Sequence, residues 1–468
     1  MIHNRNPLTN ELRIIKVGVR KLQDRKFCGL LLLSLVLVGI SSLPFVISSL
    51  LSSTTIKSSG QIVAQTMTAR SGHWRDIQDA VDQVAAMGGG NVYIPEGEYN
   101  FVNTDETWRP GTNGKVTVPA GVSIFGAPTE RYANGSVIEW KTKLLIAKEF
   151  SPSGNRDNYC LMFRFLGTGD PNKPIRVSDI EFVGYRMIDH TSDRWYSTMR
   201  IWNIIDFRVD HCFFNNMAGM CVDVRAPANG DCCGVIDHCK FVNNWGYVEW
   251  SHVECSVIYA ICIRAIGTTR WEDDITNVIG HYTPYTVFIE DCYFSRWRHC
   301  VCSLDGTHYV FRHNIIEKDS VVGSLDGHGT YDYVGTRAIE IYDNQIIDPI
   351  SNMHSQNWDS TTPVDWHDEG IGINWRGGGG IVYNNIIRGY KLGLTMTDEG
   401  EVQKCYPHDV WIWNNTWVNV QSPISTTYQG HYNIRENVDY FLRAPNQEQD
   451  GFEYTPYPYP HPLTIEES

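Results

Sequence analysis

Side chains that can move protons and bind anions are concentrated between residues 299 and 376. A histidine or a carboxylate can accept or donate a proton, and an arginine beside it can tune that group and hold an anionic substrate. Glycines lie next to Asp326 and His328, and they would let a chain-like substrate approach the backbone. The candidate catalytic residues are His299, Asp326, His328, Arg337, Glu340 and Arg376.

Repeated strands are the elements that would position these residues. In residues 339–347 apolar and polar side chains alternate, which is typical of a strand with one buried face. An asparagine follows at the predicted bend, where it tolerates turn geometry and can bond its own backbone. The pattern recurs with asparagine at 309–316, 381–387 and 410–417, and with cysteine in the same place at 207–214, 235–241 and 287–294.

Aligned on this asparagine or cysteine, the repeats form a column whose shortest spacing is 22 residues, from Cys292 to Asn314. We interpret 22 residues as one coil of a solenoid, with coils stacked about 4.8 Å apart and the column forming a ladder. Four consecutive coils would then bring the candidate residues within about 15–20 Å along the axis. The predicted column is Cys212, Cys239, Cys292, Asn314, Asn344, Asn385, Asn415 and Asn437.

A predicted helix and short strands precede the repeats. Residues 74–86 place apolar side chains on one helical face, and the glycines at 88–90 end the helix. This helix, the glycines and the segments NVYIPEGEY and VTVPAGVSIFGA resemble the opening of the pectate-lyase-like superfamily. The resemblance runs through the repeats to about residue 443. It implies an all-β fold, a single-stranded right-handed parallel β-helix solenoid with an N-terminal capping α-helix.

The resemblance also implies a calcium site. RVDHC at 208–212 and VIDHC at 235–239 resemble the Asp-His segment of pectate lyases, which implies Asp210 and Asp237 as calcium ligands. Carboxylate oxygens are the ligands that Ca²⁺ prefers. An Asp-His pair at a coil corner can instead cap a turn, and we leave both interpretations open.

A second resemblance concerns hydrolysis. DGHG at 326–329 and EDD at 272–274 are similar to segments of polygalacturonases, which cleave glycosidic bonds with paired carboxylates. Each candidate residue also has a structural explanation. Arg337 and Glu340 can pair as a surface ladder, and His328 can serve a turn. The prediction of a site therefore depends on the cluster.

Both ends of the chain differ from the repeats. Residues 1–26 carry seven Lys or Arg against two acidic residues, and residues 27–51 are apolar enough to cross a bilayer. We expect a single-pass membrane anchor with an extracellular β-helix, or a secreted protein if the leader is a cleaved signal peptide. A linker is predicted at 52–70, the β-helix at 71–445, and a Pro/Tyr-rich tail, extended or disordered, at 446–468.

Composition limits the classes of partner that the protein is expected to bind. The formal net charge of −14 argues against nucleic acid. Of the 13 cysteines, Cys28 lies in the apolar segment. An exported chain with 12 others invites disulfides, yet the column cysteines also suit buried thiols.

We expect an exported protein that binds or cleaves polysaccharide, as a lyase or glycoside hydrolase. The alternative is a non-catalytic adhesin or envelope scaffold.

Overall fold

A computed structural model describes residues 65–103, 115–132, 135–146, 160–184, 196–217, 219–227, 230–243, 259–265, 274–297, 299–317, 322–328, 335–349, 370–397, 406–426 and 433–465. The predicted leader and membrane anchor lie outside these residues. The chain divides into two units, Met1–Gln61 and Ile62–Ser468, and only the second contains described residues. None of the helices in the described segments combines the length and hydropathy needed to cross a membrane.

Three long parallel sheets build the described part of the chain, and successive strands pass from sheet A to sheet B to sheet C. Sheet A comprises Gln65–Thr68, Gly90–Tyr93, Val122–Phe125, Arg176–Ser178, Phe207–Asp210, Gly234–Asp237, Thr286–Glu290, His308–Arg312, Ala338–Tyr342, Gly378–Tyr383, Pro407–Trp413 and Tyr440–Phe441. Sheet B comprises Gly97–Asn100, Thr142–Leu145, Ile180–Val183, Phe213–Asn215, Lys240–Val242, Tyr293–Ser295, Ile315–Glu317, Gln345–Ile347, Ile386–Arg388 and Thr416–Val418.

Sheet C runs alongside the other two. It comprises Val116–Pro119, Cys160–Leu166, Tyr196–Trp202, Gly219–Ala226, Tyr259–Ala265, His299–Leu304, Val322–Gly327, Ile371–Trp375, Leu392–Met396 and Ser422–Ser425. A small antiparallel pair, Glu130–Arg131 with Val137–Glu139, lies outside these sheets. Because each strand pairs in parallel with its equivalent one coil away, the architecture is the predicted parallel β-helix.

Alternation along each strand places the core inside the coil. On sheet B, Phe182, Phe214, Phe241 and Phe294 stack on one another with ring centroids 4.6–5.2 Å apart. This spacing is close to the strand spacing of a sheet, so each ring packs directly on its equivalent in the next coil.

The predicted capping helix is present as Trp74–Ala86, and it buries Ile77, Ala80, Val81 and Val84 against the first coil. The side-chain amide of Gln78 donates to the carbonyl of Thr117 at 3.1 Å and accepts from its N–H at 2.7 Å. This pairing satisfies backbone groups at the open edge of sheet C, where the next strand would otherwise bind. The cap therefore ends the solenoid on its N-terminal side.

The predicted ladder joins sheets A and B. The Asn344 amide donates to the carbonyls of Phe311 and Tyr342, both at 2.8 Å, and its oxygen accepts from the Asn314 N–H at 2.9 Å. The bend itself lies one residue earlier than expected, because the residues with positive φ precede the ladder position. They include His211, His238, Asp291, His313, Asp343, Asn384 and Asn414. The ladder asparagine thus bonds neighbouring coils and does not adopt the left-handed turn.

Asn437 does not continue this ladder. Tyr440 pairs with Val410, so the position equivalent to Asn415 lies beyond Asn437. The last predicted step of the column is therefore wrong, because a sequence match of spacing cannot detect that the final coil changes register.

Asn344→Ala should lower the free energy of unfolding by about 3 kcal/mol or more. It leaves several buried carbonyl and N–H groups without partners, and each costs about 1–3 kcal/mol. Urea unfolding followed by circular dichroism measures the loss. The control is Asn384→Gly, at an exposed position with φ of 55°, which glycine adopts freely. A loss below about 1 kcal/mol for Asn344→Ala would contradict the ladder's importance.

Cysteines take the asparagine position in three coils. The Cys239 thiol lies 3.5 Å from the Val209 carbonyl and the Cys292 thiol 3.6 Å from that of Ile236, as the asparagine amides do in later coils. Cysteines 212, 221, 232, 233, 239, 262, 292, 300 and 302 are free thiols. Burial raises the pKa of the Cys212 thiol, so it remains a neutral packing group.

Two boundaries differ from the sequence prediction. Strand Gln65–Thr68 pairs with Gly90–Tyr93, so the β-helix includes part of the predicted linker at 52–70. At the other end, the short helix Gln447–Asp450 is followed by an extended segment that crosses the outer face of sheet A. We call residues 452–465 the strap. It encloses a second hydrophobic cluster with the 3-10 turn Ile275–Asn277.

Candidate functional site on sheet C

Three of the predicted catalytic residues meet on the outer face of sheet C. Asp326 belongs to strand Val322–Gly327, His299 begins the strand one coil before it, and Arg376 follows the strand one coil after it. The Arg376 guanidinium binds both oxygens of Asp326, with Nε 2.9 Å from Oδ1. Nε2 of His299 lies 3.8 Å from Oδ2. The fold thus brings together three of the six residues that the sequence suggested could share one patch, although His299 and Arg376 are 77 positions apart.

The charge state of Asp326 follows from these neighbours. The carboxylate has no solvent exposure, and burial alone would raise its pKa. Arg376, His299 and His328 outweigh the effect of burial and hold the pKa of Asp326 well below its usual range. Asp326 is thus a fixed negative charge that orients an arginine and a histidine.

His328 lies at the end of the same strand and is partly exposed. Its backbone N–H donates to the Ser303 carbonyl at 2.9 Å, which fixes it beside the preceding coil. When it carries a proton, His328 lowers the pKa of both Asp326 and Asp305. His299 is buried, whereas the imidazole of His328 can be reached by solvent or substrate.

Arg337 and Glu340 do not join this cluster. The chain turns from sheet C to sheet A between Gly327 and Ala338, so both residues belong to a different wall of the solenoid. Glu340 faces outward from its strand, as predicted, but it is fully buried beneath the strap. Arg337 is also buried, with its N–H bonded to the Thr307 carbonyl at 2.9 Å. The predicted single patch was wrong because residues close in sequence occupy two sheets.

Asp210 and Asp237, the predicted calcium ligands, are engaged by arginines on sheet A. Arg176 binds both oxygens of Asp210 at 2.7 Å, and Arg208 binds both oxygens of Asp237 at 2.9 Å. His211 adds a contact of 2.7 Å to Asp210. Calcium would have to displace these guanidinium groups, so the residues present do not fit a calcium site. Across the described segments, no group of three or more His, Cys, Asp or Glu is placed to hold a metal.

Sequence reasoning missed four arginines on the outer face of sheet C, Arg164, Arg200, Arg225 and Arg264. Together with Arg376 we call them the arginine column. Register pairs place Arg164, Arg200, Asp223, Cys262, Cys302, Asp326, Asn374 and Thr395 one above another. Arg225 and Arg264 form a second, parallel column. Alternation in MRIW, CVDVRA and ICIRA already places these polar residues on one face, which is the signal that could have found them.

Two carboxylates in this region have opposite environments. Asp223 lies between Arg200 and Arg225, with contacts of 2.6 and 2.8 Å, and these cations lower its pKa despite burial. Burial raises the pKa of Asp305, and Arg264, 3.3 Å away, only partly offsets it. One oxygen of Asp305 is buried without a hydrogen-bond partner. Asp305 is therefore the carboxyl group better able to hold a proton.

Asp326→Asn should reveal the ion pair through its pH dependence. The pKa of folded Asp326 lies below its ordinary value near 3.8, so its stabilisation is complete above that value and disappears as the pH falls through the folded-state pKa. We expect a loss of about 2 kcal/mol or more at neutral pH that vanishes in strong acid. Urea unfolding across this range measures it. A loss independent of pH would contradict the assignment.

Comparison with known proteins identifies no family by sequence. No protein-family model matches the chain, and no curated protein matches it. Among solved structures, the A-module of mannuronan C-5 epimerase AlgE4 from Azotobacter vinelandii is 14% identical with a TM-score of 0.33, covering 78% of this chain and 97% of that one. The tailspike protein of E. coli bacteriophage HK620, solved with a pentasaccharide, is 14% identical with a TM-score of 0.42, covering 77% and 56%. Both are right-handed parallel β-helices of the pectate-lyase-like type.

Proposed function

We propose that the outer face of sheet C binds an anionic polysaccharide and that the groups around Asp326 carry out acid–base chemistry on it. The observation that supports this most directly is the Arg376–Asp326–His299 contact with His328 beside it. It brings a fixed charge, an anion-binding group and an accessible proton acceptor together on one face.

The arginine column supports an anionic ligand. Arg164, Arg200, Arg264 and Arg376 are partly exposed on this face, in a chain whose net charge is −14, whereas Arg225 is buried against Asp223. A guanidinium fork matches the geometry of a carboxylate or sulfate, which a uronic acid or sulfated sugar supplies. From Arg164 to Arg376 the arginine column covers seven coils. The six spacings between them add up to about 30 Å at the strand spacing. A surface of this length suits several consecutive sugars.

The proposed reaction is β-elimination on a uronic acid. Arg376 would bind the sugar carboxylate and make the neighbouring C–H more acidic, and His328 would take that proton. The electron pair of the C–H bond forms the new double bond as the C–O bond to the next sugar breaks. Asp305, whose pKa burial raises, would give its proton to the leaving oxygen. Asp326 would hold Arg376 in place.

A substrate panel tests this proposal. The purified full chain is incubated with polygalacturonate, polymannuronate, a sulfated glycosaminoglycan and a neutral glucan. We expect binding to at least one anionic polymer, weakened by salt, and ultraviolet-absorbing unsaturated ends. New reducing ends without unsaturation would favour the hydrolase, and binding without products would favour the adhesin or scaffold. Failure to bind any anionic polymer would overturn the proposal.

We also propose that residues 27–51 anchor the protein to a membrane with the β-helix outside the cell. The apolar run and its basic flank support this. The full chain should stay in the membrane fraction after an alkaline wash, while a chain beginning at residue 52 should not. Release of the full chain as a shorter soluble form would favour the cleaved signal peptide.

A further inference from the structure

The strap covers a face of sheet A that would otherwise expose large apolar side chains. Phe288, Val310 and Ile381 point outward from three of four successive strands, with Glu340 on the strand between Val310 and Ile381, yet each is 1% exposed or less. Phe452, Tyr454, Tyr457 and Leu463 of the strap pack on this face. By contrast, Ile315 and Ile386 on the outer face of sheet B are 38% and 41% exposed. Sheet A is thus matched to a covering segment.

Two buried charged residues recognise the backbone of the strap. Arg312 donates to the carbonyls of Tyr457 and Pro458 at 3.1 and 2.9 Å. Glu290 accepts the backbone N–H of His461 at 2.8 Å and also binds Arg312. These contacts read main-chain groups of an extended segment. Because the strap has proline at 456, 458, 460 and 462, it presents few N–H groups that need partners.

A third buried residue recognises side chains of the strap. Glu340 accepts from the hydroxyls of Tyr454 and Tyr457, both at 2.8 Å. The Gly280 N–H at 3.0 Å and Nε2 of His308 at 2.9 Å complete its contacts. Half of the partners of this fully buried carboxylate therefore come from two tyrosines spaced three residues apart. Removing them would leave a buried charge without adequate compensation.

Tyr459, in the middle of the strap, contacts the corner between sheets A and B. The Tyr459 ring stacks on His313 with centroids 3.7 Å apart, and its hydroxyl donates to Asp291 at 2.7 Å. This contact is exposed, so it contributes less than the buried contacts of Glu340 and Arg312. The Tyr459 contact should therefore supply a smaller share of the binding energy than the tyrosines that bind Glu340.

We propose that this face is a recognition groove for an extended peptide of the type Tyr-x-x-Tyr-x-Tyr-x-His. We call it the strap groove, and its defining residues are Phe288, Glu290, Val310, Arg312, Glu340 and Tyr342. The chain fills the groove with its own strap. When a strap is released, the strap of a second copy fills the same groove and joins the two chains. Recognition combines proline-fixed extended backbone, aromatic packing and buried polar contacts.

A shortened chain and a synthetic peptide test the proposal. A chain ending at Gly451 is mixed with a fluorescent peptide of residues 452–465, and anisotropy measures binding. We expect saturable binding with one peptide per chain and a higher melting temperature of the shortened chain with peptide present. A folded shortened chain that does not bind the peptide would overturn the proposal. Circular dichroism establishes folding.

Peptide variants test the anchors. A peptide with both Tyr454→Phe and Tyr457→Phe keeps the rings and loses the two donors to Glu340, so we expect at least about 30-fold weaker binding. The matched control, Tyr459→Phe, loses the exposed contact to Asp291 and should weaken binding less than about 5-fold. Equal effects would overturn the role of Glu340.

A cleavable full chain covers the case in which the shortened chain does not fold. A protease site is inserted after Gly451, at the exposed end of the short helix, and the folded protein is cut. We expect the cut strap to co-elute with the β-helix and to exchange with added labelled peptide. Immediate loss of the strap on cutting would overturn the proposal. Concentrated cut protein should not dimerise, because a cut strap no longer joins two chains. Slow refolding of uncut protein at high concentration should instead yield dimers in which the two chains have exchanged straps.

Discussion

Arg312→Ala should lower the free energy of unfolding by about 3–5 kcal/mol, because it leaves a buried carboxylate without its cation. Arg312 has no solvent exposure, and its Nε lies 2.8 Å from Glu290. It also holds the strap through two carbonyls, so the same change should loosen the second hydrophobic cluster. Urea unfolding followed by circular dichroism measures the loss.

The pH dependence of this variant identifies the cause. Burial raises the pKa of Glu290 even with Arg312 present, so removal of the cation should raise that pKa further. A raised carboxyl pKa costs stability when the group is ionised, and that cost is relieved as the pH falls through the folded-state pKa. The deficit of Arg312→Ala should therefore shrink as the pH falls through the raised pKa of Glu290.

An exposed ion pair supplies the matched control. Arg388 binds Asp348 on the outer face of sheet B, and both side chains are at least 42% exposed. Arg388→Ala should cost far less stability than Arg312→Ala, with little pH dependence, because solvent screens an exposed ion pair. If the two arginine variants lose similar stability, the strap is not held by a buried ion pair.

His328→Gln should reduce turnover of an anionic polysaccharide at least about 100-fold, because it removes the proposed proton acceptor. Glutamine keeps the size and polarity of the side chain but cannot carry the proton. Substrate binding, which we assign to the arginine column, should change little, so the loss should appear in kcat more than in KM. Initial rates of unsaturated-product formation measure it.

A histidine away from sheet C gives the comparison. His408 lies on sheet A, 2.7 Å from the carboxylate of Asp409, and is also partly exposed. His408→Gln should retain wild-type rates. An active His328→Gln variant would move the proton transfer to another residue, and equal losses in both variants would indicate a general effect on folding.

The repeat could be recognised in the sequence because each coil contains the same succession of strand, corner and strand. Alternation in residues 339–347 correctly assigned Ile339 and Ile341 to the core and Glu340 to the outer face. Alternation states only which way a side chain points. It does not state whether solvent or another segment lies there, so Glu340 was placed at a surface when it contacts Tyr454 and Tyr457.

The candidate site was half predictable for the same reason. His299, Asp326 and Arg376 lie on or directly after three successive strands of sheet C, and repeat spacing can bring those strands together although the three residues occupy different register positions. Arg337 lies 11 residues after Asp326, and no spacing rule told how many of those residues the turn from sheet C to sheet A uses. The strap was harder still, since its prolines predict an extended backbone but not the face on which it lies.

The corner between sheets A and B has a consequence for how this chain can change over evolution. In successive coils this corner consists of two residues, as in His313-Asn314 and Asp343-Asn344, between strands of fixed register. An insertion there would break the ladder, so the solenoid can lengthen at that corner only by a whole coil. The connections from sheet B to sheet C vary freely, from three residues after Ser295 to 23 after Ile347. Insertions are thus channelled to the border of the arginine column, where new ligand preferences can arise without disturbing the core.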